Sequence, residues 1–317
     1  MPEADGPLAF TPLFKERVWG NHALAERFGK PLPASARIGE SWELVDRADA
    51  QSLVASGPLA GTTLHDLWEE RRENLFGRRA LAAGERFPLI VKLLDAAAPL
   101  SVQVHPPAEI ATKFGGKPKT EMWVLLDAAE DACLYAGLRA GVTRESFATA
   151  LAAGDDVSKL LNPISVHAGD VLAIPSGRVH AIGAGCLIAE IQQNSDTTYR
   201  VFDFNRIGLD GEPRELHVER SMESIDWDDI EPSLDEPEGE LLVETDYFRT
   251  SRWSLDAPRL AAADGECAIV LCIEGDVECG PSSFAPGDVF LVPASPGGLE
   301  LTPAGDTAEV LVVELPD

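Results

Sequence analysis

A chain of 317 residues, 45% hydrophobic and 7% aromatic, is long enough for one large or two medium all-β domains and too apolar to stay disordered. Its 53 acidic side chains against 26 basic ones give a net charge of −27, so nucleic acid and anionic membrane surfaces would meet long-range repulsion and are excluded as expected partners. An anionic substrate would need that background reversed locally, and a few well-placed Lys or Arg residues should then stand out.

At the N-terminus, MPEADGPLAF lacks a basic stretch running into an apolar one, and no apolar run in the chain approaches the length that spans a bilayer. Cys133, Cys186, Cys267, Cys272 and Cys279 are odd in number and contain no CxxC pair, against both a disulfide framework and a thiolate zinc site. A soluble, unprocessed protein of the reducing cytoplasm is expected.

Residues 63–84 place Leu64, Leu67, Trp68, Leu75 and Phe76 at helical spacing ahead of Gly84, which predicts a helical insert. Short helices are expected near 143–161: one from the N-cap Thr143 through Phe147 and Leu151 to Gly154, another ending before Asn162-Pro163. The rest consists of short apolar runs, PLIVKLLDA, LSVQVHP, EMWVLLDA, DVLAIP and CLIAEIQQ, divided by Gly, Pro, Asp and Asn at the intervals of sandwiches and barrels. The core is therefore read as all-β.

From Met222 to Asp246 there are eleven acidic residues and no Lys or Arg, the composition of a solvated connector. The expected division is a first domain over 1–230, an acidic linker over 231–246 and a C-terminal β domain over 247–317. Gly169-Asp170-Val171-Leu172-Ala173-Ile174-Pro175 also recurs as Gly287-Asp288-Val289-Phe290-Leu291-Val292-Pro293, so the two halves are expected to share an architecture.

Strand alternation puts Gln103 and His105 of SVQVHP on one face, and Lys119 and Glu121 of KTEMW on one face. Taken singly, these are also what a strand-end histidine or a solvent-facing edge strand would show. More specific is the stretch Gly169 to His180, which fits the second cupin motif GxxxxxPxGxxH at every defined position; the repeat at Gly287 lacks the final His. Lys92, inside LIVKLLD, would be costly in a barrel unless it reached a partner.

The segments LSVQVHP, KTEMW, GDVLAIPSGRVHAIG and QQNSDTTYRVFDFNR follow one another as in the type I mannose-6-phosphate isomerases of the cupin superfamily, which the chain resembles over about residues 9–220. FPLIVKLLDA and IGESWEL also look like segments of that family. The resemblance implies a cupin jelly-roll barrel with a helical insert, followed by a smaller jelly-roll-like C-terminal β domain without metal ligands. It implies a metal held by Gln103, His105, Glu121 and His180, typically one Zn²⁺ per chain, with other first-row divalent ions as alternatives. Two imidazoles, a carboxylate and a neutral amide oxygen suit such an ion and leave a position open.

Arg200 matches an active-site arginine of the family and Lys119 a lysine beside the Glu ligand. Both are expected to bind the sugar phosphate and take part in catalysis. Ser101 is a further substrate contact, and Lys92 is added as a candidate. Lys119 is either the base, with its pKa depressed by metal and Arg200, or simply a phosphate contact. Glu40, Trp42 and Glu43 are expected next to the site, and His22, His65, His167 and His217 outside the ligand set.

The implied reaction interconverts mannose 6-phosphate and fructose 6-phosphate through a cis-enediol. The alternatives are a non-catalytic sugar-phosphate binder and an isomerase of unphosphorylated mannose. In a generic cupin an HxH pair precedes a Glu by a few residues; here Gln103 takes the first place and Glu121 lies further on, which counts against the iron-dependent cupin dioxygenases.

Overall fold

In the strand Leu89–Ala96, Leu89, Val91 and Leu93 face one way, while Lys92 and Leu94 face the other; the antiparallel strand Cys186–Gln193 divides likewise. Both faces are buried, which is why each reads as a nearly continuous apolar run with a charge in it. These strands form the middle of a six-stranded antiparallel sheet ordered Val171–Ile174, Glu121–Ala128, Cys186–Gln193, Leu89–Ala96, Ile38–Leu44 and Leu13–Asn21. A five-stranded sheet, Leu161–Ser165, Cys133–Leu138, Val179–Ile182, Val102–Val104 and Tyr199–Phe202, closes over its inner face. The computed structural model describes residues 6–295 and 297–316.

One end of this barrel is packed solid by Trp123, Leu125, Leu134, Ile182 and Ile188. The other end is polar and open. A second pair of sheets follows, six strands facing four, with Trp253, Val270, Phe284, Phe290 and Val310 between them. The chain is thus a pair of jelly-roll-like sandwiches, the cupin architecture.

The helix Leu64–Phe76 begins at Thr63, whose hydroxyl accepts the Asp66 N–H at 2.9 Å, and ends at Gly77 with φ 80°. Its Trp68 meets Phe76 and Phe87 edge to face at ring separations of 5.0 and 5.3 Å. The helix Arg144–Ala153 starts in a reciprocal cap between Thr143 and Ser146, and a short 3-10 turn covers Val157–Leu160.

The repeated Gly-Asp segments make the same turn. Gly169 and Gly287 have φ 96° and 88°, and Asp170 and Asp288 each accept the N–H three residues back, at 2.7 and 2.9 Å. Each segment then enters a four-residue strand, Val171–Ile174 or Val289–Val292. The left-handed glycine is what permits the reversal.

The division along the chain differs from expectation in two respects. Residues 231–246 are tied down: Asp235 accepts the Ala173 N–H at 2.6 Å, the Glu231 N–H donates to the Leu138 carbonyl at 2.9 Å, and Leu241–Glu244 is an edge strand of the C-terminal sheet. Just upstream, Asp229 grips Arg178 through two bonds of 2.9 and 3.0 Å. At the other end Leu8–Ala9 pairs with Val289–Val292 and so belongs to the C-terminal sheet. Backbone pairing, which composition does not report, decided both.

Candidate metal centre and substrate cavity

Antiparallel register assembles the site. Gln103 lies directly opposite His180 on one side and Arg200 on the other, so residues far apart in sequence form one row on the inner face of the five-stranded sheet. Across the barrel Glu190 pairs with both Lys92 and Trp123, and Gln192 with Glu121. Glu121 opens its strand and His105 follows the end of Val102–Val104, which brings both to the mouth of the barrel.

His105, Glu121 and His180 are completely buried, and one potential ligand atom from each lies within 4.8 Å of the others. His105 Nδ1 sits 3.1 Å from the Thr197 carbonyl and His180 Nδ1 2.9 Å from the Arg178 carbonyl. Each Nδ1 therefore carries the proton, leaving the Nε2 lone pairs turned toward Glu121 at 3.4 and 3.7 Å. His105 Nε2 and Glu121 Oε1 are buried without a hydrogen-bond partner. Such orphaned lone pairs aimed at a common point fit a divalent cation.

Electrostatics agrees with that fit. Burial, aided by Lys119, pushes the His105 pKa down, and burial with the charge of His105 pushes His180 down to about 3, so both rings are neutral ligands at neutral pH. Burial works against a charged Glu121, yet Lys119 and the two histidines hold its carboxyl well below the usual range. Gln103 Nε2 lies 3.2 Å from His180 Nε2; a half-turn of the amide exchanges nitrogen for oxygen at that place.

Both lysines are paired with carboxylates. Lys119 Nζ is 2.6 Å from Glu121 and 3.9 Å from Glu190. Burial would lower its pKa, but these carboxylates win and raise it. Lys92 reaches Glu190 at 2.8 Å, the partner its burial requires.

A cavity of about 530 Å³ lies beside the centre, bordered by its neighbours Gln103 and Lys119. Gln103, Lys119, Lys92, Ser101 and Arg200 line it, with Glu40 and Trp42 on the wall. Basic and acidic side chains are equally numerous in this lining, whereas acids outnumber bases two to one in the chain, so the acidic background is locally offset. Arg200 gives Nη1 to the Glu215 carbonyl at 2.8 Å and keeps a buried Nε without a partner. The row that supplies Gln103 and Arg200 is braced by His217, whose Nδ1 accepts the Arg200 N–H at 3.1 Å.

Glu43 departs from expectation. It projects from the opposite face of its strand and is buried on Lys30 at 2.9 Å and Ser41 at 2.6 Å, away from the cavity that Glu40 and Trp42 line. Three contributors escaped the sequence reading: Glu190, Arg17 and Arg214. Glu190 had a readable signal, since a lone acid in CLIAEIQQ and a lone base in LIVKLLD are complementary buried charges; the two arginines had none.

A family model described as the type I phosphomannose isomerase catalytic domain matches residues 8–134. The chain is 39% identical to the mannose-6-phosphate isomerase ManA of Bacillus subtilis (strain 168) over 93% of its own length and 95% of the relative's. It is 36% identical to the mannose-6-phosphate isomerase of Streptococcus mutans, covering 90% and 92% of the two chains. Among solved structures, a mannose 6-phosphate isomerase from Bacillus subtilis shares the fold at a TM-score of 0.85 and 33% identity, over 98% of this chain and all of that one.

Proposed function

The chain belongs to the type I mannose-6-phosphate isomerases, and we propose that it interconverts mannose 6-phosphate and fructose 6-phosphate by moving a proton between C2 and C1 through a cis-enediol. The observation that carries this reading is the buried trio His105, Glu121 and His180, with its unpartnered lone pairs, next to Gln103 and Lys119 on the wall of a sugar-sized cavity. That arrangement supports a divalent cation held by these three residues and the Gln103 carbonyl, with zinc favoured by the imidazole and carboxylate donors. When bound, such an ion supplies a Lewis acid for the negative charge that develops on the sugar oxygens during enolisation.

The protein groups orient the sugar around that centre. Lys119, a cation fixed between Glu121 and Glu190, donates to sugar oxygens and opposes their developing charge. Its contacts with both carboxylates favour a positioning and electrostatic role for Lys119. Arg200 offers guanidinium donors to the substrate from the facing sheet. Ser101, on the cavity wall, adds a hydroxyl. Lys92 acts through Glu190, which it neutralises at 2.8 Å.

A coupled assay of mannose 6-phosphate isomerisation on purified protein, before and after chelation and with zinc restored, tests the reading. Activity that falls on chelation and returns with zinc is the expected result. A folded, zinc-loaded protein without isomerase activity would refute it.

A further inference from the structure

Most cations in the cavity are already matched. Lys119 faces Glu121, Lys92 faces Glu190, and Arg17 bonds Glu40 at 2.8 Å. The balance changes on the segment 200–217. There Arg200, Arg206 and Arg214 have one buried carboxylate among them, Asp203. Asp203 takes Arg206 Nη2 at 2.7 Å and Arg214 Nε at 2.7 Å, and also bonds Arg214 Nη2. Arg206 is pinned a second time by the Pro99 carbonyl.

The consequence is geometric. Asp203 grips the Nε–Nη2 edge of Arg214, so that guanidinium is oriented while its Nη1 makes no hydrogen bond among the described residues. Among the described residues Arg200 has no carboxylate partner: Glu215 offers it only a backbone carbonyl, and Glu215's own carboxylate is 83% exposed and turned to His217. Phe204 and Asn205, with φ 54° and 53°, turn the chain sharply after Asp203. Gly208, Leu209 and Asp210 complete this side of the cavity, with Asp210 occupied by the Glu212 N–H at 3.1 Å. Two guanidiniums with spare donors, backed by a third, form a seat for a dianion with tetrahedral oxygens.

Building on the isomerase reading, we propose that Arg214 and Arg200 seat the phosphate of the sugar phosphate, with Asp203 and Arg206 as the brace that aims Arg214. The phosphate then sits at the end of the cavity formed by segment 200–217, and the carbonyl end of the sugar lies toward Gln103 and Lys119. Preference for phosphorylated over free sugar rests on Arg214, whose contacts with a non-reacting group are the same in ground and transition states.

The test is the Arg214→Gln variant of the zinc-loaded full chain, assayed by steady-state kinetics and by calorimetric titration with inorganic phosphate. The KM for mannose 6-phosphate is expected to rise at least tenfold and phosphate affinity to fall in parallel, with kcat within about threefold of the parent and zinc content unchanged. Arg214→Lys, which keeps the pair with Asp203 but loses the fork, should fall between. A fall in kcat with KM and phosphate affinity unaltered, in Gln and Lys variants alike, would overturn the seat. A parent that binds phosphate through Arg214 yet isomerises nothing would instead overturn the isomerase reading and leave the seat standing.

Discussion

The imidazoles of His105 and His180 owe their usefulness to the carbonyls behind them. Thr197 and Arg178 fix both Nδ1 protons, so each ring presents a lone pair without any proton having to leave. His180→Ala is therefore expected to lower bound zinc from about one ion per chain to below a tenth, as read by elemental analysis after dialysis. Turnover should fall by more than the roughly 10–100-fold typical of losing an outer partner. The four ligand candidates came from the resemblance of short local segments to the isomerase family, since strand alternation by itself also fits a strand-end histidine or an edge strand. Arg214 was not, because its meaning depends on which carboxylate it meets, and Asp203 is assigned to it only by the fold. Glu40 is a second charged residue whose state the sequence does not report. Burial opposes its ionisation, but Lys92 and Arg17 overcome this and hold its pKa at about 2, from an ordinary 4.5. The resulting stabilisation, of order 3 kcal/mol, is present above pH 4.5 and lost as pH falls toward 2. Glu40→Gln should thus lower stability by about 1–3 kcal/mol at pH 7, with the gap from the parent closing between pH 4.5 and 2. Urea unfolding midpoints across that range would reveal a constant gap if the account were wrong.

At the scale of elements, the helix Leu64–Phe76 is a structural wedge. Leu64, Leu67, Trp68, Leu75 and Phe76 all enter one core, together with the outer faces of Leu89–Ala96 and Cys186–Gln193. The spacing of those five residues made the helix readable in advance. The surface it packs against was not readable, because Val91 and Leu93 look the same in sequence as Leu94, which faces the barrel interior. Trp68 is wholly buried and contacts Phe76 and Phe87, so Trp68→Ala is expected to cost about 3–5 kcal/mol, measured by denaturant unfolding. The zinc content of the protein that remains folded should be unchanged, since no ligand lies on the helix or its contacts.

For the whole molecule, the decisive feature is the core between the two sandwiches. It holds Val91, Leu93, Met122, Val124 and Ile191 from the first six-stranded sheet and Ile269, Leu271, Leu291, Leu311 and Val313 from the second. Each sheet thus buries one face inside its own sandwich and the other against its neighbour. A division at an acidic linker would lead one to expect two independent domains, unfolding separately. The structure argues otherwise: removing either half would expose a row of fully apolar strand positions, and each such side chain costs about 1.5–3 kcal/mol to leave in water. The crossing of Leu8–Ala9 into the C-terminal sheet and the bond from Arg252 Nη2 to the Gly169 carbonyl, 2.9 Å, tie the halves further. Thermal unfolding should therefore be a single transition, with the near-ultraviolet signal of the tryptophans coinciding with far-ultraviolet loss of sheet, and a calorimetric enthalpy matching the van't Hoff value. Two resolved transitions would mean that the shared core contributes little. If the transition is single, the C-terminal sandwich, which holds none of the proposed ligands among the described residues, supports the site by covering the back of the sheet whose other face holds Glu121, Lys92 and Glu190.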